Sequence, residues 1–277
     1  MNIVKTFPFF KLKAVTFSFD DGVYQDVEML NMLRHFSLKA TFNLNSNLLN
    51  GNGDFYQPEW LLNKRLEKKQ IKDLYDGFEV ASHSSNHSDF KNQSTENLDI
   101  EIKDDINNLS DIVGYKVQGF AYPYGIYSSK IINYLKELGI VYARSVNHTL
   151  SFDLPNDFYT YGGTIEMSSS EIEKMTTKWL QLKPEEMKLY YIWGHSYELD
   201  MFHEHEKFYY LLEKLAHKDD TFYGTNIEIF SYLNALKELE MTESKLINHS
   251  NKTLYLLVNN NKVILKPKEI IEIEKEK

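Results

Sequence analysis

Short apolar runs alternate with amphipathic segments along most of the chain, and this alternation constrains the fold more than any other feature. Residues 14–19 alternate apolar and polar side chains, as strands do, and residues 26–36 place apolar side chains three or four positions apart, as helices do. Further strands are predicted at 40–44, 78–82, 117–122, 140–144, 161–165, 189–194 and 221–225. Further helices are predicted at 58–74, 94–109, 128–138, 168–182, 204–216 and 227–239. Strands that alternate with helices indicate a parallel sheet.

The number of these units narrows the architecture. Seven or eight strand–helix units in about 230 residues predict an α/β fold closed in the manner of a (β/α) barrel, with an open doubly wound sheet as the alternative. No G-x-G-x-x-G motif follows a predicted strand, so the sequence does not support a dinucleotide site. After about residue 243 only short alternating strands remain. We therefore predict a barrel over residues 1–242 and a small C-terminal β segment over 243–277, which either covers one barrel end or forms a ligand-contacting flap.

Composition excludes several classes of protein. The chain has 31 Lys and Arg against 40 Asp and Glu, a formal charge of −9, so nucleic acid is an unfavourable partner. It has no cysteine, which excludes disulfides, cysteine-based metal sites and thiol nucleophiles. It also lacks an apolar run of the roughly 18 residues that a membrane helix needs, so we expect no membrane insertion. The apolar residues 7–10 are too few for a secretory signal, and we expect a cytoplasmic protein; its oligomeric state is not indicated.

Polar clusters stand at the ends of five predicted strands. In chain order they are Asp20-Asp21, His83 with His87, Tyr122-Pro123-Tyr124-Gly125, Arg144 and His195. Active sites of (β/α) barrels are built at the C-terminal ends of the strands, so we expect these clusters to meet.

Two histidines and one carboxylate can form a three-ligand metal site that leaves a position open for water. His83 and His87 supply the histidines, and either Asp20 or Asp21 can supply the carboxylate. Side chains alternate along a strand, so one aspartate can bind the metal while the other acts as a base. His195 is a candidate general acid, and the tight turn at 123–125 can aim a backbone N–H at an oxyanion.

The ordered motifs resemble those of the polysaccharide deacetylases, the NodB homology family or carbohydrate esterase family four. The motifs are TFSFDDG at 16–22, SHSSNH at 82–87, FAYPYG at 120–125 and IWGH at 192–195. The resemblance covers about residues 12–240. It implies a distorted (β/α) barrel with a divalent metal, usually Zn²⁺, with Co²⁺ or Ni²⁺ as alternatives.

The resemblance also implies a role for each residue. Asp20 would be the catalytic base, Asp21, His83 and His87 the metal ligands, the Tyr124 N–H an oxyanion donor, and His195 the general acid. We expect Tyr122, Pro123, Trp193 and Tyr197, which lie in or beside the motifs, to contact the substrate.

The sequence departs from the family pattern at two places. The arginine that begins the third motif and braces the base is replaced by Ala121, and we hypothesise that Arg144 reaches the same position. The Asp-Trp motif, whose aspartate orients the acid histidine, is not evident. Asp153, Asp157, Glu198 and Asp200 are the candidate substitutes.

The function that follows from these residues is metal-assisted removal of acetyl groups from an acetylated oligo- or polysaccharide, as N-acetyl amides or O-acetyl esters. One alternative is a metal-dependent amidohydrolase acting on a small non-sugar amide or imide. The other is an inactive carbohydrate-binding barrel.

Overall fold

The computed structural model describes residues 2–91 and 94–273. Its strands are β1 (Ile3–Thr6), β2 (Lys13–Asp20), β3 (Ala40–Leu44), β4 (Phe55–Tyr56), β5 (Leu62–Asn63), β6 (Glu79–Ser82), β7 (Gly119–Ala121), β8 (Tyr142–Arg144), β9 (Ile165–Glu166), β10 (Lys188–His195), β11 (Thr221–Tyr223), β12 (Leu239–Met241), β13 (Lys245–Asn248), β14 (Leu254–Val258), β15 (Asn261–Leu265) and β16 (Ile270–Glu272).

Helices follow most of the parallel strands. They are α1 (Asp26–His35), α2 (Lys68–Leu74), α3 (Thr95–Leu98), α4 (Asp104–Val113), α5 (Ser129–Glu137), α6 (Ile172–Gln181), α7 (Glu198–Phe202), α8 (His205–Leu215) and α9 (Asn226–Lys237). A π-helical turn, Asp99–Lys103, joins α3 to α4. Within the described residues, no helix is both long and apolar enough to cross a membrane.

Seven parallel strands form one curled sheet in the spatial order β8-β7-β6-β3-β2-β10-β9, and β11 pairs with the first half of β2. The sheet is a half-barrel, open between β8 and β9. The chain between these two strands spans the opening, because Ala143 N–H donates to the Phe158 carbonyl (2.9 Å) and Thr164 N–H donates to the Tyr191 carbonyl (2.8 Å). The predicted α/β class with a distorted (β/α) barrel is confirmed, but the sheet itself is open between β8 and β9 rather than closed.

The two faces of the sheet differ because side chains alternate along each strand. On β2, Val15, Phe17 and Phe19 belong to the outer hydrophobic core, which the helices α1, α2, α4, α5, α6 and α8 cover. Thr16 and Ser18 point the other way and form hydrogen bonds with Asn226 and Asn43. This alternation leaves Asp20 on the inner, polar side at the end of the strand.

The C-terminal strands form two small antiparallel sheets. One contains β12, β13 and β16, and the other contains β14 and β15 with the N-terminal strand β1. Leu246, Leu254, Leu256 and Leu265 pack with α9 in a second hydrophobic core. The division into residues 1–242 and 243–277 stays a prediction, and residues 274–277 lie outside the described part of the chain.

The predicted helix at 58–74 is wrong over its first ten residues. Only Lys68–Leu74 is helical, and β4 and β5 pair as a hairpin before it. The chain then runs beside the loop that follows β2, with Tyr24 N–H donating to the Lys64 carbonyl (2.8 Å) and Leu66 N–H donating to that of Gly22 (3.1 Å). These tertiary backbone bonds replace the bonds that a helix would have made locally.

Candidate active site

The carboxyl ends of the seven parallel strands open into one pocket of about 640 Å³. Its lining residues are Asp20, Asp21, Gly53, Phe55, Gln57, Arg65, His83, His87, Tyr122, Tyr124, Val146, Glu166, Trp193, His195 and Tyr197. The clusters that the sequence places after separate strands are thus brought together, with Arg144 directly behind the pocket wall.

Asp21, His83 and His87 form a candidate metal group. Each offers one ligand atom, and these atoms lie within 4.8 Å of one another. His83 Nδ1 donates to the Ala121 carbonyl (2.8 Å), which leaves its Nε2 unprotonated and available as a ligand. A carboxylate with two imidazoles is a common ligand set for Zn²⁺, so the residues present fit a divalent cation.

Both histidines of this group are held in the neutral form that metal binding requires. Burial lowers the pKa of His83 to about 4, against the opposing effect of the Asp20 charge. Burial also lowers the pKa of His87.

Asp20 is buried and held at both carboxylate oxygens. Arg144 Nη2 donates to Oδ2, and Asn43 Nδ2 donates to Oδ1 at 2.8 Å. Burial by itself raises the pKa of Asp20, but the charges of Arg144, His83 and His195 outweigh it and lower this pKa below its ordinary value. The carboxylate is therefore ionised at neutral pH, as a base must be.

His195 lies across the same space. Its Nε2 is 3.9 Å from Oδ2 of Asp20 and 3.9 Å from Oδ2 of Asp21. Its Nδ1 donates to Oε1 of Glu198 at 2.7 Å. Burial disfavours the charged imidazole, but the hydrogen bond and charge of Glu198, together with both aspartates, raise the pKa of His195 to about 9. His195 therefore carries a proton at neutral pH.

Of the four carboxylates considered as partners for His195, Glu198 is the one in contact. Asp200 instead accepts from Gln25 (3.1 Å) and pairs with His205 (2.8 Å). Asp153 pairs with Lys188, and Asp157 accepts from the backbone N–H of Tyr159.

The third motif forms a single 3₁₀ turn, Pro123–Gly125, with proline at its first position. Tyr124 adopts a positive φ of 58°, and its ring contacts that of His87 at a centroid distance of 4.6 Å. Gly125 has a φ of 68°, and a Cβ there would lie 2.5 Å from Val146 Cγ2, so the turn requires glycine. The turn places the Tyr124 ring beside His87 of the metal group, while the role of the Tyr124 N–H as oxyanion donor stays a prediction.

The four residues expected to contact the substrate are largely buried in or beside the pocket wall. Tyr122, Trp193 and Tyr197 line the pocket but are almost fully buried. The hydroxyl of Tyr122 donates to the Tyr159 carbonyl, the Arg144 guanidinium lies 4.6 Å from the centroid of the Trp193 ring, and the Tyr197 ring packs against His195. Pro123 is buried in the turn. Contact with substrate stays a prediction for all four.

Several residues that line or adjoin the pocket were not predicted, among them Asn43, Phe55, Arg65 and Glu166. Asn43 had a signal, because a polar residue two positions after Thr41 on an apolar strand indicates an inward, polar face. Arg65 and Phe55 had none, because the pattern around them predicted a helix or no regular structure. Glu166 lies half-buried at the end of β9, one residue beyond the strand predicted at 161–165.

Residues 10–143 match the family model described as polysaccharide deacetylase. No curated protein matches the chain significantly. A solved structure from Mycobacterium smegmatis, described as a polysaccharide deacetylase, is similar over 84% of this chain and 94% of that chain, with 14% identity and a TM-score of 0.59. The Xyl-CE4 domain of a multidomain xylanase from the hindgut metagenome of Trinervitermes trinervoides is similar over 80% and 92%, with 19% identity and a TM-score of 0.53.

These two likenesses show the fold alone. A third, to the Streptococcus pyogenes deacetylase PplD in complex with acetate, has 22% identity and a TM-score of 0.41. It covers 47% of this chain and 55% of that chain, so this chain spans about half the length of that structure.

Proposed function

Residues 10–143 belong to the polysaccharide deacetylase family, and from that premise we propose that the chain is a metal-dependent hydrolase that removes acetyl groups from an acetylated oligo- or polysaccharide. The proposal rests on one observation: Asp21, His83 and His87 converge on one point, and an ionised Asp20 and a protonated His195 flank them. A base and an acid that face each other across a three-ligand group are the parts that acyl hydrolysis needs.

Asp21, His83 and His87 would hold the divalent cation, Zn²⁺ or in its place Co²⁺ or Ni²⁺. When bound, such a cation acts as a Lewis acid that polarises an acyl carbonyl and lowers the pKa of water.

Groups of this chain perform the proton transfers and supply one hydrogen bond to the developing charge. Asp20, held by Arg144 and Asn43, accepts the proton of the attacking water. The Tyr124 N–H donates to the negative charge that develops on the carbonyl oxygen, an interaction that typically contributes about 3–4 kcal/mol. His195, held by Glu198, then donates its proton to the departing amine or alkoxide.

Acetate release tests this proposal. The protein is stripped of metal with a chelator, reloaded with Zn²⁺, Co²⁺ or Ni²⁺, and incubated with N-acetyl chitooligosaccharides or with O-acetylated xylooligosaccharides. The matched control is Asp20→Asn loaded with the same metal. Release by the loaded wild-type protein alone supports the deacetylase and identifies the bond as amide or ester.

Two other outcomes would contradict the proposal. Metal binding without release from either series, but with release of ammonia or amine from small amides or cyclic imides, would favour a small-molecule amidohydrolase. Metal binding with sugar affinity, measured by calorimetry, and no turnover of any of these compounds would favour a binding-only barrel.

A further inference from the structure

Arg65 reaches the candidate metal group from a segment that no motif includes. It lies just after β5, is 6% exposed, and lines the pocket beside Asp21. Its guanidinium is the cation nearest to Asp21: Nη1 donates to Oδ1 of Asp21 at 3.2 Å and also to the backbone carbonyl of the same residue. One arginine therefore holds both the main chain and the side chain of a single residue.

Asp21 needs such a contact because of its backbone. Its φ is 85°, a region that residues other than glycine rarely adopt. The neighbouring backbone helps to hold it, since Asp21 N–H donates to the Asn43 carbonyl at 3.0 Å. A residue in this conformation persists only where its surroundings determine it, and such positions cluster at functional sites.

The guanidinium is itself firmly anchored. Nε donates to the Gly53 carbonyl (3.2 Å) and Nη1 to Oδ1 of Asn45 (3.2 Å), while the ring of Phe55 lies 4.9 Å from Cζ. The Arg65 backbone forms a bridge with Val23. Arg65 thus links the β4–β5 hairpin to the loop that carries Asp21, with the planar fork of an arginine matched to several acceptors at once.

We propose that Arg65 is a positioning residue for the metal site: it fixes the Asp21 carboxylate in the orientation that metal binding requires. This inference rests on the proposed function only in taking Asp21, His83 and His87 as the ligands. Groups that orient metal ligands through hydrogen bonds typically account for 10- to 100-fold in metal affinity.

Zn²⁺ affinity, measured by calorimetry with a competing chelator, tests the proposal on Arg65→Met and Arg65→Lys. We expect both variants to bind about 10- to 100-fold more weakly, because lysine keeps the charge but lacks the fork. The visible absorption of the Co²⁺-loaded protein should change in both variants, since it reports the coordination geometry of the metal. Arg34→Met is the matched control: Arg34 also lies over a ring, that of Phe78, and donates to the Leu74 carbonyl, but it does not line the pocket.

A double-mutant cycle separates positioning from general damage. In an Asp21→Ala background, which keeps the two histidines, Arg65→Met should have no further effect on affinity. If it weakens binding equally in both backgrounds, Arg65 does not act through Asp21. Unchanged affinity in both Arg65 variants, or tighter binding by Arg65→Met through loss of a repelling charge, would also overturn the proposal.

Thermal unfolding of the metal-free variants shows whether they are folded. If Arg65→Met does not fold, the test rests on Arg65→Lys alone, through its Co²⁺ spectrum and its affinity for Zn²⁺. A wild-type protein that binds neither metal would instead contradict the proposed function, so the two failures are distinguishable.

Discussion

Arg144, at the end of β8, donates a hydrogen bond from Nη2 to Oδ2 of Asp20 at the end of β2, across 124 residues of sequence. Both side chains are almost fully buried. Three strands of the sheet, β7, β6 and β3, lie between β8 and β2, so the curl of the sheet brings the end of β8 across the pocket to the end of β2. Arg144 thus gives Asp20 the cationic partner that Ala121, which replaces the arginine of the family motif, cannot give.

Arg144→Met should impair the base without removing the metal ligands. Burial raises the pKa of Asp20 and the charge of Arg144 lowers it. Without Arg144, the pKa of Asp20 should therefore rise. A base works only when it is deprotonated, so the rising acidic limb of the kcat/KM profile should move to higher pH. Loss of one partner of a buried pair should also lower the free energy of unfolding at pH 7 by about 3–5 kcal/mol.

The control for this prediction is Lys188→Met, which removes a cation paired with Asp153 at the surface. It should leave the pH profile unchanged. An acidic limb in Arg144→Met that coincides with that of the wild type would refute the role assigned to Arg144.

Glu198→Gln should lower the pKa of His195. Gln can still accept the Nδ1 hydrogen bond but carries no charge, so the charge of Glu198, which together with that hydrogen bond raises this pKa to about 9, is lost. Removing an opposite charge at this range typically shifts a pKa by about 1–3 units. An acid works only when it is protonated, so the falling alkaline limb should move to lower pH.

Asp200→Asn is the matched variant for Glu198, because Asp200 lies on the same helix but contacts Gln25 and His205. We expect its alkaline limb to stay in place. NMR titration of His195 measures the pKa directly, and a value unaffected by Glu198→Gln would count against this pairing.

Asp20→Asn and His83→Ala should distinguish the role of the catalytic base from that of a metal ligand. Asp20→Asn should keep the metal and lose about 10²–10⁴ in kcat, the usual contribution of a positioned base. His83→Ala should lose both metal and activity, because one of three ligands is gone. Metal content by atomic absorption and acetate release test both, and a metal-free Asp20→Asn protein would reverse the roles assigned to the two aspartates.

Glu79→Gln should flatten the pH dependence of stability. Glu79 is buried at the start of β6, where it accepts from Thr41 (2.7 Å) and Tyr142 (2.8 Å), and burial raises its pKa to about 7. Between the ordinary value of 4.5 and about 7, the folded protein holds a proton that the unfolded chain has released. Wild-type stability should therefore fall as pH rises through this range, by up to about 3 kcal/mol from this group.

Denaturant unfolding at pH 5 and pH 8, in the presence of a chelator, measures this effect. The loss of stability between the two pH values should be smaller in Glu79→Gln than in the wild type. Asp26 and Asp105, whose pKa values burial also raises to about 7, keep part of the dependence. Glu137→Gln, an exposed substitution on α5, is the control and should lose as much stability between the two pH values as the wild type. An equal loss in Glu79→Gln would show that Glu79 is ionised throughout and would contradict the prediction.

Local patterns predicted much of the sheet and of the outer helices. The helices predicted to begin at residues 94 and 128 are both capped by the serine at that position: Ser94 Oγ accepts from Asn97 N–H (3.2 Å) and Ser128 Oγ from Ile131 N–H (3.4 Å). The pattern failed at 58–67, where the stabilising partners of the backbone are distant in sequence. The strand β1 was missed for the same reason, since its partner β14 lies some 250 residues away.

The amino-acid pattern was enough to show which chemical groups stand at the strand ends, because the alternation of apolar residues locates each strand and a parallel sheet gathers those ends at one edge. It did not determine which groups touch. Glu198 was one of four carboxylates of equal standing, Arg144 one hypothesis for a missing arginine, and Arg65 carried no signal at all. Contacts across the curled sheet depend on its twist and closure and on the path of the connecting loops. These are set by packing over the whole fold, so only the tertiary structure could decide them.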